Sequence, residues 1–155
     1  VDDRHHARRS DEKRSLGQVR PQFEWTFLPE SQAQENPMPY VDGFVLPVPK
    51  KNVQAYKRLA QKAGKIWKEY GALEFRECVA DDVKKGKWTS FPRSVKLKSN
   101  ETVFFSWIVY KSRAHRDSIN KKVMKDKRIA GMFMKSMPFD LKRMIYGGFK
   151  VMVDA

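Results

Sequence analysis

Among the ionisable residues of this 155-residue chain, Asp42 stands out for where it falls. It interrupts YVDGFVLPV, Tyr40 to Val48, a run otherwise rich in aromatic and β-branched residues. A carboxylate inside such a run either finds a partner or has its pKa driven upward, which is how buried acids become general bases and proton donors. Two readings stand side by side: a structural aspartate paired with Arg143 or Arg76 or bonded to backbone amides, or a catalytic, proton-handling group. Ser106 and Trp107, adjacent in TVFFSWIVY, have the same double reading as core or as pocket wall. Gly147 and Gly148 interrupt a third apolar run, MIYGGFKVM. A strand keeps glycine for a bulge or for close approach by something else, because glycine gives up packing and backbone entropy. The first reading has the pair coil the strand; the second has it, with Gly43, make room for a ligand. The site expected from the sequence is therefore Asp42, with Gly43, Ser106, Gly147 and Gly148 beside it and Trp107 and Tyr146 as walls.

The remaining reactive side chains form no comparable group. Cys78 is the only cysteine, so no internal disulfide and no CxxC zinc site can form, and it reads as a small packed side chain. Glu77, Asp81 and Asp82 surround it, but their side chains alternate across a strand and run into a loop, so they are not expected to converge on a metal. His115 is the only histidine after residue 37 and reads as a solvated helix residue. No metal and no cofactor is expected.

The elements that must position these residues follow from periodicity. Tyr40 to Val48 reads as a central strand ended by Pro47 and Pro49. Asn52 is placed to cap a helix in which Val53, Tyr56, Leu59, Ala60, Ala63, Ile66, Trp67 and Tyr70 recur at steps of three and four, with lysines opposite and Gly71 closing it. Leu73 to Ala80 alternates as an edge strand, and DDVKKGKWTSFPRS is a loop. Thr102 to Tyr110 is the strongest strand; its unbroken apolar character requires cover on both faces. Ser112 caps a second, less periodic helix through about Lys125, IAGMFMKSMPFD makes a helical turn and loop, and Arg143 to Val153 is the last strand. The order βαββαβ predicts an α+β, ferredoxin-like antiparallel sheet of four strands, with the first and third in the middle and the fourth beside the first. Two helices cover one face only. A second copy of the sheet is the simplest cover for the other.

Residues 1–37 hold 6 Lys+Arg against 7 Asp+Glu, which leaves 26 against 11, a net +15, in residues 38–155. The first segment reads as a disordered or non-native extension without a signal peptide's apolar core, although Phe23, Trp25 and Phe27 alternate as a short strand would. One domain is expected over residues 38–155. No apolar run reaches the length of a membrane helix, and with one cysteine the expectation is a soluble, cytoplasmic protein. The positive field favours polyanions, yet TVFFSWIVY lacks the glycine-aromatic pattern by which RNA recognition motifs present rings to bases.

YVDGFVLPVP, ECVADDV, ETVFFSWIVY with SRAHRD, KVMKD and MPFDLKRMIYGGF resemble, in order and spacing, the YbaA-like bacterial family of domain of unknown function number 1428. The resemblance runs from about Met38 to the end. It implies membership of the dimeric α/β-barrel superfamily, whose ferredoxin-like monomers face each other across a two-fold axis as a homodimer. In that superfamily, oxygenases line their cavity with aromatic and polar residues, and haem-degrading members carry a ligand on a helix comparable to that of His115, without the matching pattern here. The resulting expectation is a homodimer that binds a small molecule between sheet and helices or inside the barrel. A cofactor-free monooxygenase or isomerase using Asp42 is the alternative, and binding of RNA or another polyanion is the third.

Overall fold

The computed structural model describes residues 38–155, so the extension and strand expected in residues 1–37 lie outside the described residues. Four strands, β1 (Tyr40–Pro49), β2 (Glu74–Val79), β3 (Glu101–Tyr110) and β4 (Ile145–Lys150), form one sheet in the order β2-β3-β1-β4, every neighbouring pair antiparallel. This is the ferredoxin-like arrangement that the element order requires, with the apolar runs of β1 and β3 in the centre.

Four helices accompany the sheet: α1 (Val53–Glu69), α2 (Phe91–Ser94), α3 (Arg113–Val123) and α4 (Lys127–Phe133). Helix α1 buries Tyr56, Ala60, Gly64 and Ile66 and ends in a Schellman turn. Ala72 N–H donates to the Trp67 carbonyl at 3.0 Å and Gly71 N–H to that of Lys68 at 3.0 Å, with Gly71 at φ +109°, where a side chain would be strained. Asn52 does precede α1 but does not cap it. Its side-chain amide donates instead to the Pro138 carbonyl, 3.0 Å away, tying the helix start to the loop before β4. Ser112 caps α3 as expected, its hydroxyl accepting from His115 N–H at 3.1 Å.

Side-chain alternation divides the sheet into two faces. Tyr40, Asp42, Phe44, Leu46 and Val48 of β1 lie over α1, α3 and α4 with Phe104, Ser106, Ile108 and Tyr110 of β3, and most of the core sits there. Near one end of the other face, Val45 and Val103 pack on Val95, which follows α2. The loop expected over residues 81–94 thus contains a helical turn, capped by Ser90, that covers part of this face. The rest of it carries Phe105, Ile145 and Phe149, which are 41%, 45% and 62% exposed.

The paired glycines do not form a bulge. Gly148 faces Asp42 and Gly147 faces Gly43 in unbroken register from Val45↔Ile145 to Tyr40↔Lys150, so the expectation that they coil the strand is corrected. Close approach explains Gly148. A β-carbon there would overlap the Tyr40 hydroxyl and lie 2.7 Å from Tyr40 Cε1 and 2.9 Å from Arg116 Nη2. At Gly147 it would meet only the Phe149 ring, at an ordinary 3.5 Å.

Candidate functional site

Between the helical face of the sheet and α1, α3 and α4 lies a cavity of about 390 Å³. That volume suits a molecule of one or two rings. Its walls are mainly apolar: Phe44, Leu59, Ala63, Ile108, Met132 and Phe139 come from five different parts of the fold. Polar groups enter at two places.

The first is a network around Asp42. Helix α3 brings Arg116 and Asn120, one turn apart, over β1 and β3. Arg116 Nε lies 3.4 Å from Asp42 Oδ1, Nη1 is 3.2 Å from Asp117, and Nη2 donates to Tyr40 OH at 3.1 Å, with the guanidinium 5.0 Å from the centre of the Tyr40 ring. Asn120 Nδ2 donates to Asp42 Oδ2 at 3.4 Å, while Asn120 Oδ1 accepts from Trp67 Nε1 at 3.1 Å and from Tyr110 OH at 3.2 Å. Burial pushes the Asp42 carboxyl above its ordinary value, and this outweighs the opposing pull of Arg116, Asn120 and Tyr110. Burial and the Asp42 charge likewise push the Tyr110 hydroxyl up. Arg116 Nε is buried and, despite the nearby carboxylate, has no hydrogen-bond acceptor among the described residues. Its charge is met by the Asp42 carboxylate 3.4 Å away, and Arg116 lines the polar end of the apolar cavity together with Asp42 and Asn120.

The second polar place is Glu77 on β2. Tyr56 OH donates to its Oε2 at 2.7 Å, and Ser106 stands directly across on β3. Burial raises the carboxyl's pKa, with the two hydroxyls partly opposing it.

These contacts sort the residues expected from the sequence. Asp42, Ser106, Tyr146, Gly147 and Gly148 border the cavity; Tyr146 is 74% exposed and stacks on Phe44 with ring centres 6.2 Å apart, at the rim. Trp107 and Gly43 do not border it. They are paired across β1 and β3 on the opposite face, so Trp107 is not a wall of this cavity, and a β-carbon at Gly43 would meet only Phe149. The partner expected for Asp42 is also corrected. Arg143 is held by Glu101, with Nη1 2.8 Å from Oε2 and Nη2 2.5 Å from Oε1, and by Asp140 at 2.8 Å, whereas Arg76 faces Trp107 on the far side of the sheet. Cys78 is exposed and not packed, because its place in the alternation turns it to the open face opposite Phe105. His115 is half-buried, its Nδ1 accepting from Lys111 N–H at 3.1 Å beside the start of α3. Asp81 and Asp82 are exposed, and no group of metal-binding side chains occurs among the described residues. No described helix is long and apolar enough to cross a membrane.

Arg116, Asn120 and Tyr110 are site residues not singled out from the sequence, and Glu77, considered there only for metal binding, joins them. Arg116 and Asn120 share the i, i+3, i+4, i+7 stripe of α3 with the buried Ile119 and Val123, and Glu77 falls in phase with Phe75 on β2. Polar residues in an inward phase were the available signal.

The family model described as "Protein of unknown function (DUF1428)" matches residues 39–141. The chain is 52% identical over 117 residues to proteins named "Uncharacterized protein YbaA" in Escherichia coli strain K12 and in Shigella flexneri, covering 76% of this chain and 99% of each relative. A solved structure titled as a dimeric ferredoxin-like protein from an uncultured marine organism is similar over 76% of this chain and 99% of its own, with 12% identity and a TM-score of 0.42. The de novo designed protein Foldit4 is similar over 73% of this chain and 98% of its own, with 10% identity and a TM-score of 0.39. Neither score adds to what the sheet order already shows.

Proposed function

The chain belongs to the DUF1428 family of proteins of unknown function, and from its cavity we propose that it binds a small, largely apolar molecule whose polar end meets Asp42, Arg116 and Asn120. The observation that carries this reading is an unfilled volume of about 390 Å³ with mainly apolar walls and with Asp42, Arg116 and Asn120 among the residues that line it. A core built for stability alone is close-packed, because empty volume is destabilising. The apolar body of a ligand fills that volume, and a carbonyl or carboxylate oxygen at its polar end accepts from Arg116 or Asn120. The test is to incubate the protein with a small-molecule cell extract, wash, denature and identify released compounds by mass spectrometry, beside Ala63→Trp, which fills the cavity. Compounds retained by the wild type and lost from Ala63→Trp are expected; equal retention by both proteins overturns the reading.

A catalytic role has one specific observation in its favour: Asp42 faces the cavity and its carboxyl is held above the usual range by burial. In this second reading the protein is an isomerase or cofactor-free monooxygenase, in which Asp42 removes a proton next to a carbonyl whose oxygen takes hydrogen bonds from Arg116; the isomerase returns that proton at another carbon, and in the monooxygenase dioxygen takes up the carbanion's electrons, one oxygen entering the product and the other leaving as water. Asp42→Asn then retains binding and loses turnover.

The working unit of the proposal is a homodimer built through the open sheet faces. Phe105, Ile145 and Phe149 expose apolar surface there, with Val41, Trp107 and Val109 between them. A second copy on this face closes the two sheets into a barrel and removes that surface from water.

A further inference from the structure

We propose that Glu77, with Tyr56 and Ser106, forms a second polar anchor of the cavity, one that selects ligands carrying a hydrogen-bond donor at the end opposite the group held by Arg116. The inference rests on the ligand-binding reading of the cavity and specifies the class of molecule.

Three observations carry it. Glu77 lines the cavity from β2, and among the described residues no cation stands within ion-pair distance of it; Asp42, at the other end, has Arg116. Tyr56 OH donates to its Oε2, and the Ser106 hydroxyl opposite is a second neutral donor beside the carboxyl, so hydroxyls and no cation orient it, and lone pairs remain on its oxygens to accept from a ligand. The Tyr56 ring is fixed edge-on against Phe104 and Phe139, with ring centres 4.6 Å and 5.5 Å apart, so the hydroxyl that orients Glu77 is itself held by packing. A carboxyl oriented in this way accepts from a phenol, alcohol or amine and repels an ether or carbonyl oxygen.

Register sets the length of the molecule. Glu77 lies opposite Ser106, and Asp42 opposite Ile108, so the two carboxyl-bearing residues are two strand spacings and two residues apart, roughly 12 Å between α-carbons. Side chains on one face stand roughly perpendicular to the sheet, so the two carboxyls lie about as far apart as their α-carbons, and a hydrogen bond at each end leaves roughly 6–7 Å between the ligand's polar atoms. That is the span of a benzene ring substituted at opposite positions. Glu77 and Tyr56 also border a groove between α1 and β2 on the outside, so the donor end of the ligand lies where the cavity meets solvent.

The test uses 4-hydroxyacetophenone, which carries an acceptor at one end and a donor at the other, and its methyl ether 4-methoxyacetophenone, which lacks the donor. Affinities are measured by calorimetric titration against the wild type, Glu77→Gln and Glu77→Met. The wild type is expected to favour the phenol at least tenfold over the ether, and Glu77→Met to bind both alike. Glu77→Gln, which keeps the shape and the acceptor but not the charge, is expected to retain part of the preference, showing that the loss in Glu77→Met is not misfolding. Equal binding of phenol and ether by the wild type overturns the Glu77 inference and leaves the cavity reading standing. Binding of neither compound also overturns the Glu77 inference, while the cavity reading stands or falls with the retention experiment on Ala63→Trp.

Discussion

Adding one methyl group at each of the two adjacent glycines gives opposite outcomes if Gly148 is kept for the close approach of Tyr40 and Arg116. In Gly148→Ala the new β-carbon lies 2.7 Å from Tyr40 Cε1 and 2.9 Å from Arg116 Nη2, well inside van der Waals contact. The Arg116 end can swing away, but the Tyr40 ring is rigid and must move as a body. Its movement breaks the 3.1 Å hydrogen bond from Arg116 and the cation-π contact at 5.0 Å. Overpacking and the lost contacts together are worth about 2–3 kcal/mol, against about 0.4–1 kcal/mol gained by restricting the unfolded chain, so a net loss of about 1–2 kcal/mol is expected. In Gly147→Ala the β-carbon meets Phe149 at 3.5 Å, and stability is expected to stay level or rise by up to about 1 kcal/mol. Urea unfolding at fixed protein concentration measures both, and combining Gly148→Ala with Tyr40→Ala removes the clash, so the two losses should not add. Equal stability of the two glycine variants would refute the reasoning.

Three further outcomes follow from the charges and the open face. Glu101 is 6% exposed, accepts two bonds from Arg143 and one from Lys98 N–H, and its pKa is lowered mainly by Arg143, so Glu101→Gln is expected to lose about 2 kcal/mol at pH 7. Because that pKa is depressed, the stabilisation is full above the unfolded value near 4.5 and lost as pH falls through the folded value, so the acid limb of a pH–stability curve should be shallower in the variant. Asp42 has the opposite sign: its raised pKa makes stability fall as pH rises from the unfolded value of 3.8 through the folded one, a slope that Asp42→Asn removes and that chemical unfolding at successive pH values detects. Phe149→Asp is expected to convert a dimer into monomers by light scattering and to speed thiol labelling of Cys78, which shares the open face; unchanged mass and labelling rate would count against the sheet-to-sheet dimer.

Much of the fold was legible because its strands and first helix carry strong periodic signals. The apolar runs of β1 and β3 marked the sheet's centre, and the three-and-four spacing from Val53 to Trp67 marked α1. Asp42 was legible for the same reason, as a polar residue in an apolar run. Arg116 and Asn120 were not, because they replace apolar residues on the inward stripe of α3, and this weakens the periodicity by which an inward stripe is recognised. Which side of the sheet Trp107 serves was not legible although its strand was, since a run that is apolar on both faces hides which residues point towards the helices. Only the register with β1, where Trp107 faces Gly43 and Ile108 faces Asp42, decides it. Asn52 misled for a different reason: a good capping residue was drawn to a carbonyl 86 positions away.

The most direct test of the cavity as a binding site is a crystal structure of the wild-type protein after incubation with a small-molecule cell extract. The expected result is density for an organic molecule inside the cavity, with an oxygen within hydrogen-bond distance of Arg116 or Asn120. A cavity closed by Met132, Met137 and Phe139, with no organic molecule inside it, would contradict it.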